Sequence, residues 1–439
     1  MLYLYGASVL IVSFFLAYIV WRKFWIGFVV LFPFLYGYGT LLVSSVYLEV
    51  FPSYIYEQDS YSFFNWASLY FLFVMSGALF GVLLILQLLF RVYGYPALAR
   101  PLLPRAYLLL VILLEIVLIA HVLASGSPLL LEGVTRFQFW SEYALVKGLS
   151  VFNWLLYAII FVVGSSGAYF LYREDRISKL LSFVVFFLAG LYFVSWGNKF
   201  SALILLFFVY FIPGLISFRF RYGYKYPMHA QLIRVGPLFV GVVFLLVVGQ
   251  YERFQARGLG VGEQLVERVL ILQGHVFWGG FNKAALEGGN YSHAFNEVKS
   301  LFLDLPSGES GMTFLMKVLA PAELFYSYVE SGVEFTSGFP AINLVTFGLL
   351  FGAVVTAFSW LLFSFFIFYL LRLIAQGARV RLLLAGYIYL NAVVWFQRGS
   401  LDGFINWKFM LVIVLIFGIE IFRLGRCSIE RQFSGIKND

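Results

Sequence analysis

Eleven stretches of mostly apolar residues set the limits on what this 439-residue chain can become; they lie near 3–21, 24–48, 63–90, 106–124, 151–172, 180–196, 200–217, 235–250, 347–371, 382–397 and 408–422. A helix needs about 20 such residues to cross the hydrocarbon core of a bilayer, and inside lipid the backbone must satisfy its own polar groups. The pattern predicts an all-α polytopic membrane protein with about 11 transmembrane helices. Only 12% of the residues are charged, against about a quarter in soluble domains, so the water-soluble fold classes drop out. The runs at 235–250 and 382–397 are the shortest, which leaves a re-entrant segment open for one of them. The first run lacks a basic leader and a small-residue cleavage motif and ends directly in Trp21, Arg22 and Lys23, so it reads as a retained helix.

Taking the loops alternately separates the charges. One side holds 19 of the 30 Lys and Arg, among them Arg22, Lys23, Arg91, Arg105, Arg219 and Arg372, while the other holds 16 of the 22 acids. The positive-inside rule then assigns the basic side and the C-terminus to the cytoplasm, and the N-terminus to the other side. Three parts follow: helices over 1–249, a large extracytoplasmic loop over 250–340, and helices with a short cytoplasmic tail over 341–439. A loop this long is usually functional. Within it, 263–273 and 312–329 have the apolar content of short amphipathic helices on or dipping into the membrane surface. The one cysteine, Cys427, excludes an intrachain disulfide and a Cys-based metal cluster.

The stretch "VVGQYERFQARGLGVGEQLVERV" (247–269) places Arg253, Arg257 and Arg268 among acids on the side where the charge rule expects few cations. Arg253 and Arg257 are spaced to share a helix face. Guanidinium forks grip phosphate oxygens in pairs and keep their charge when desolvated. Pairing with Glu252 and lipid headgroups at the interface is the plainer reading. Arg136 in "GSPLLLEGVTRFQFW", Lys199 in "SWGNKFS" and Arg398 in "WFQRGSLDG" join them on the same side, with a snorkelling role open for Lys199 and a bridge to Asp402 open for Arg398.

For acid–base work the large loop offers His275 and His293, with Glu252, Glu323 and Glu330 as carboxylate alternatives; His121 and His229 lie elsewhere. An imidazole can take a hydroxyl proton near neutral pH, although a lone histidine is more often structural. Glu57 and Asp59 in the first outer loop form an acidic pair of the kind that holds a metal or acts as base in membrane glycosyltransferases that use lipid-phosphate sugars; two acids in a solvated loop also arise by chance.

The order of parts resembles the O-antigen polymerases, and more loosely the O-antigen ligases. The residues that carry the resemblance are "GSPLLLEGVTR" (126–136), "GNKFSALILLFF" (197–208), "YERFQARG" (251–258) and "TSGFPAINLVTFGLLFG" (336–352). The resemblance implies a glycosyltransferase that joins undecaprenyl-diphosphate-linked repeat units on the periplasmic face of the bacterial inner membrane. It makes the anionic partner a lipid diphosphate, the leaving group whose growing charge arginines would stabilise. Arg136, Arg253 and Arg257 become its ligands, with Arg268, Lys199 and Arg398 in support. His293, His275 or Glu252 becomes the base, and Trp140, Trp278 and Tyr291 become sugar-stacking rings. No metal or other cofactor is implied. The partners are the lipid-linked donor and acceptor, membrane lipid and a chain-length regulator, with no nucleic acid. A ligase or another lipid-linked-sugar transferase is the alternative. A transporter or flippase is the rival from another class, with Glu115 and Glu420 as the acids inside helices.

Overall fold

The computed structural model describes residues 1–94, 103–127, 139–167, 175–196, 200–222, 267–303, 305–331, 334–335, 337–399 and 407–435. Seven helices come first: α1 (Leu2–Lys23), α2 (Trp25–Val50), α3 (Ala67–Tyr93), α4 (Arg105–Ala124), α5 (Phe152–Ser165), α6 (Arg176–Ser195) and α7 (Phe200–Tyr222). Four short ones follow: α8 (His275–Glu287), α9 (Tyr291–Lys299), α10 (Gly311–Leu319) and α11 (Ala322–Ser331). The chain closes with α12 (Ala341–Gln376), α13 (Arg379–Arg398) and α14 (Trp407–Gly435). Its one described sheet is a two-stranded hairpin, β1 (Tyr54–Ile55) against β2 (Ser60–Tyr61).

Among the described residues, nine helices are long and apolar enough to cross a membrane. The protein is an all-α, multi-pass membrane protein. Ten of the eleven predicted runs fall on described helices, α14 included; the run at 235–250 lies outside the described residues.

The bundle centre is aromatic. Trp360 of α12 stacks on Phe396 of α13 at 4.0 Å, and Phe34 of α2 meets both rings edge-on. Two buried tyrosines tie the same helices through carbonyls: Tyr389 donates to Val30 O at 2.6 Å and Tyr38 to Phe396 O at 3.2 Å. Each hydroxyl thereby finds an acceptor where water is absent, as a buried polar group requires. On the other flank, α5 and α7 approach so closely that a Cβ at Gly164 would lie 2.2 Å from Tyr210 O.

The predicted 347–371 helix starts earlier and not as a straight rod. Gly348 (φ 74, ψ 177) breaks α12, in a region of backbone space that is essentially glycine's alone. The short limb 341–347 folds back along the long limb. Asn343 Nδ2 donates to Thr356 Oγ1 at 3.0 Å, and a Cβ at Gly352 would strike Asn343 O, contacts a straight helix cannot make because residues 13 apart lie about 20 Å apart along its axis. The break is braced from three sides: Asn290 N–H reaches Val345 O, Tyr70 hydroxyl reaches Leu349 O, and a His293 ring nitrogen meets Thr346 Oγ1.

The helices α8 to α11 and the 51–66 segment form a cap over one end of α2, α3 and α12. The predicted amphipathic segment 312–329 divides at Pro321 into α10 and α11, and Met312, Phe314, Leu315 and Met316 of α10 are buried within the cap instead of lying on a membrane. From 263–273, residues from Glu267 onward are described as a short turn, Glu267–Ile271, whose Leu270 and Ile271 carbonyls accept from Ser44 of α2.

Candidate functional site

The cap holds an open cleft of about 230 Å³ between the 51–66 segment, α8 and the end of α10. Gln58, Ser60, Tyr61 and Phe63 form one wall, and Trp278, Asn282, Lys283 and Leu286 form the other. Helical spacing puts Trp278 and Asn282 on one face of α8. Gly279 lets the walls meet: a Cβ there would lie 2.6 Å from Gln58 Nε2, and that amide instead donates to His275 O at 2.8 Å. Lys283 is partly exposed and paired with Glu287 at 2.6 Å on its own helix. Amide, hydroxyl and ammonium groups thus surround an aromatic wall. Such a lining can bind a ring with one apolar face and a polar rim.

Behind the cleft lie two histidine–carboxylate pairs. His275 is 1% exposed; its Nδ1 faces Leu272 O at 3.1 Å and its Nε2 lies 2.6 Å from Glu57, which also accepts from Tyr328. Because a carbonyl only accepts, Nδ1 donates to Leu272 O, and Nε2 lies beside the Glu57 carboxylate without hydrogen-bond alignment. His293, equally buried, meets Thr346 Oγ1 at 2.7 Å and Glu297 at 3.1 Å, and Phe314 covers its ring face at 3.5 Å. Glu297 also accepts from the Gly311 N–H that opens α10. Both rings serve here as braces within the cap, and neither lines the cleft. The sequence offers His293 or His275 as base, and the fold sets each beside a carboxylate, Glu297 and Glu57 respectively.

The acidic pair does not converge. Glu57 turns inward to His275, whereas Asp59, in left-handed backbone geometry (φ 45), accepts from the Tyr54 hydroxyl at 2.5 Å. That carboxylate raises the Tyr54 pKa by stabilising the protonated phenol. Glu323 and Glu330 are exposed on α11 and do not line the cleft.

Of the predicted stacking rings, Tyr291 is 60% exposed at the start of α9. Trp278 lines the cleft but is only 2% exposed, with its indole N–H on Phe63 O at 3.0 Å, so it offers an edge and no open face. Trp140 packs elsewhere, against His121 and Trp196. Arg136, Lys199, Glu252, Arg253 and Arg257 lie outside the described residues, while Arg268 falls on the 267–271 turn and Arg398 at the end of α13. Gln58, Asn282 and Lys283 escape the sequence reading, although the Trp278–Asn282 spacing was a usable signal.

A family model described as "Family of unknown function (DUF6418)" matches residues 305–413, which run from just before α10 to the start of α14. No curated protein and no solved structure matches the chain. The matched stretch crosses residue 340, so it joins α10 and α11 of the cap to the α12 hairpin and α13.

Proposed function

We propose that this protein is a lipid-diphosphate-dependent glycosyltransferase of the polysaccharide-polymerase type, working on the extracytoplasmic face of a bacterial inner membrane. The observation that carries this reading is the cap cleft: a recess of mixed amide, hydroxyl, ammonium and aromatic lining, on the end of the bundle opposite the basic loops. Such a lining suits the rim and face of a sugar. In this reading Arg136, Arg253 and Arg257 take the diphosphate, and Gln58, Asn282 and Lys283 orient the sugar. A lipid-linked oligosaccharide would enter from the bilayer, and the reducing end of one chain would pass to a hydroxyl of the next as diphosphate leaves. Charge growing on that leaving group is what preorganised donors stabilise.

The test is reconstitution. Purified protein given undecaprenyl-diphosphate-linked repeat units should yield a ladder of longer chains, in chelator as well as with added Mg. Arg257→Ala should slow it about 100- to 1000-fold, the usual loss for one preorganised donor, and Asn282→Ala should raise the acceptor requirement. Absence of any ladder with a range of lipid-linked donors sinks the reading. A second reading, transport, rests on Glu115, a carboxyl buried inside a membrane helix with no hydrogen-bond partner among the described residues. Movement of labelled lipid-linked sugar across a liposome bilayer without chain growth would favour it.

A further inference from the structure

The basic end of the bundle carries a second recess, unrelated to the cap. It opens where α1 gives way to α2: Lys23 ends one helix, Trp25 begins the next, and Phe24 between them leaves helical geometry (φ −127, ψ 45). About 110 Å³ lies between this junction and the last turns of α3, and among the described residues its lining has Lys23 and Gln87 as polar side chains and no acid.

Three features make the recess attractive to an anion. The 26-residue α2 starts here with no side-chain cap, so its first N–H groups point outward at the positive end of the helix dipole. Trp25, 4% exposed, lines the recess, and its buried indole N–H has no acceptor among the described residues; an indole nitrogen can only donate. The guanidinium of Arg219, from α7, lies over that same indole at 5.2 Å and is itself buried. The opposing carbonyl end of α1 carries Arg22 and Lys23 in its last turn, which offsets its negative pole.

We propose that this recess binds a phosphate group, presented by an anionic phospholipid headgroup or as free phosphate. A tetrahedral phosphate offers acceptor oxygens in several directions at once, matching the indole N–H and first backbone N–H groups of α2 together with the flexible Lys23 ammonium at the end of α1. The position at a helix junction where basic side chains gather is also where headgroups lie. A choline headgroup, although it carries a phosphate, brings its own cation toward Lys23 and Arg219 and binds less well. Gln87 supplies an amide that can meet either a phosphate oxygen or a glycerol hydroxyl.

The experiment uses the purified full chain in detergent, read by native mass spectrometry and thermal unfolding. The probes are phosphatidylglycerol, phosphatidylcholine with the same acyl chains, and inorganic phosphate. Phosphatidylglycerol should bind about tenfold more tightly than phosphatidylcholine, the worth of one charge-assisted hydrogen bond. Lys23→Gln, at an exposed position, should erase most of that preference without affecting folding. Trp25→Phe, which keeps a ring but removes the N–H, should do the same. Arg372→Gln should leave the preference intact, because Arg372 sits over Phe368 at the same end but outside the recess. A melting temperature that rises with inorganic phosphate alone points to free phosphate; a rise with phosphatidylglycerol only points to the lipid. Equal binding of the two lipids with no response to phosphate, or an undiminished preference in both Lys23→Gln and Trp25→Phe, overturns the assignment.

Discussion

Among the described residues, two carboxyl groups, those of Glu49 and Glu115, are buried in membrane helices, and their surroundings are opposite. Near the end of α2, Glu49 is 1% exposed and accepts from the Ser68 N–H at 3.3 Å, the Ser68 hydroxyl, and the Tyr5 hydroxyl at 3.2 Å. It therefore caps the first turn of α3 from a neighbouring helix and draws α1 to the same point. In the seam between α4 and α6, Glu115 is fully buried and neither of its oxygens has a hydrogen-bond partner among the described residues. One carboxyl joins three helices. The other interrupts an apolar helix face, Leu108, Val111, Leu118 and Val122, and no described residue offsets its burial. The comparison teaches that a buried acid is a structural asset only when donors from other elements converge on it.

The largest expected effect tests the satisfied member. Glu49→Ala strips acceptors from Ser68 and Tyr5 together and should cost about 3 to 5 kcal/mol, since buried donors left without partners lose about 1 to 3 kcal/mol each. Thermal unfolding in detergent measures it. A loss under about 1 kcal/mol would mean that water or lipid headgroups replace the carboxylate, and the contrast with Glu115 would fade.

Next in size, with opposite sign, is Glu115→Leu. Replacing an unpartnered buried polar group with an apolar one should stabilise the protein by about 1 to 3 kcal/mol in the same assay. Destabilisation would show that Glu115 has a partner in the folded protein and would end the comparison. Stabilisation combined with lost activity would mark the acid as retained for function, and would strengthen the transport reading over chain growth.

How much of this was legible beforehand depends on whether the signal is local. Ten helices could be read from apolar length, and Glu115 stands out in "LLLVILLEIVLIA" as an acid inside a span, because each signal lies within one segment. Glu49, in "SSVYLEVFPS", looks like an ordinary loop-end acid; its role comes from Tyr5 and Ser68, which only the fold brings near. The reversal at Gly348 is hidden for a related reason: "LVTFGLLFG" is apolar on both sides of the break, so periodicity runs straight through it. In the cap, the His293–Glu297 pair was available from its i, i+4 spacing, whereas His275–Glu57 spans a long stretch of chain and was not. The sequence offers either histidine as base, and only the fold shows the carboxylate beside each one.

Intermediate effects sharpen the comparison within the satisfied cluster. Ser68→Ala removes one donor to Glu49 but keeps the backbone N–H and Tyr5 in place, so it should cost about 1 to 2 kcal/mol, and Tyr5→Phe about 1. Pairing the two in a double-mutant cycle should give a coupling energy above about 0.5 kcal/mol, because both hydroxyls meet the same carboxylate and each other at 2.9 Å. Strict additivity would show that they act independently and that Glu49 is no hub.

The smallest effect lies at the Arg105–Asp175 end of the α4–α6 seam, where a third acid is satisfied but only partly buried. Asp175 caps α6, accepting from the N–H groups of Ile177 and Ser178 at 3.1 and 3.2 Å, and pairs with Arg105 at the start of α4. The Ser178 hydroxyl and N–H, with Arg105 behind them, hold its pKa down to about 2. A carboxyl whose folded pKa is depressed stabilises the protein fully above its unfolded value, near 4, and loses that contribution as pH falls toward 2. Asp175→Asn should therefore lower the melting temperature slightly at pH 7, and the gap from the unsubstituted protein should narrow steadily below pH 4. Salt should shrink only the part that comes from Arg105, since the cap is short-range while the ion pair is half in water. A gap independent of pH would mean that Asp175 acts through hydrogen bonds an asparagine cannot mimic and not through its charge. The end of the seam would then differ from its middle in geometry alone.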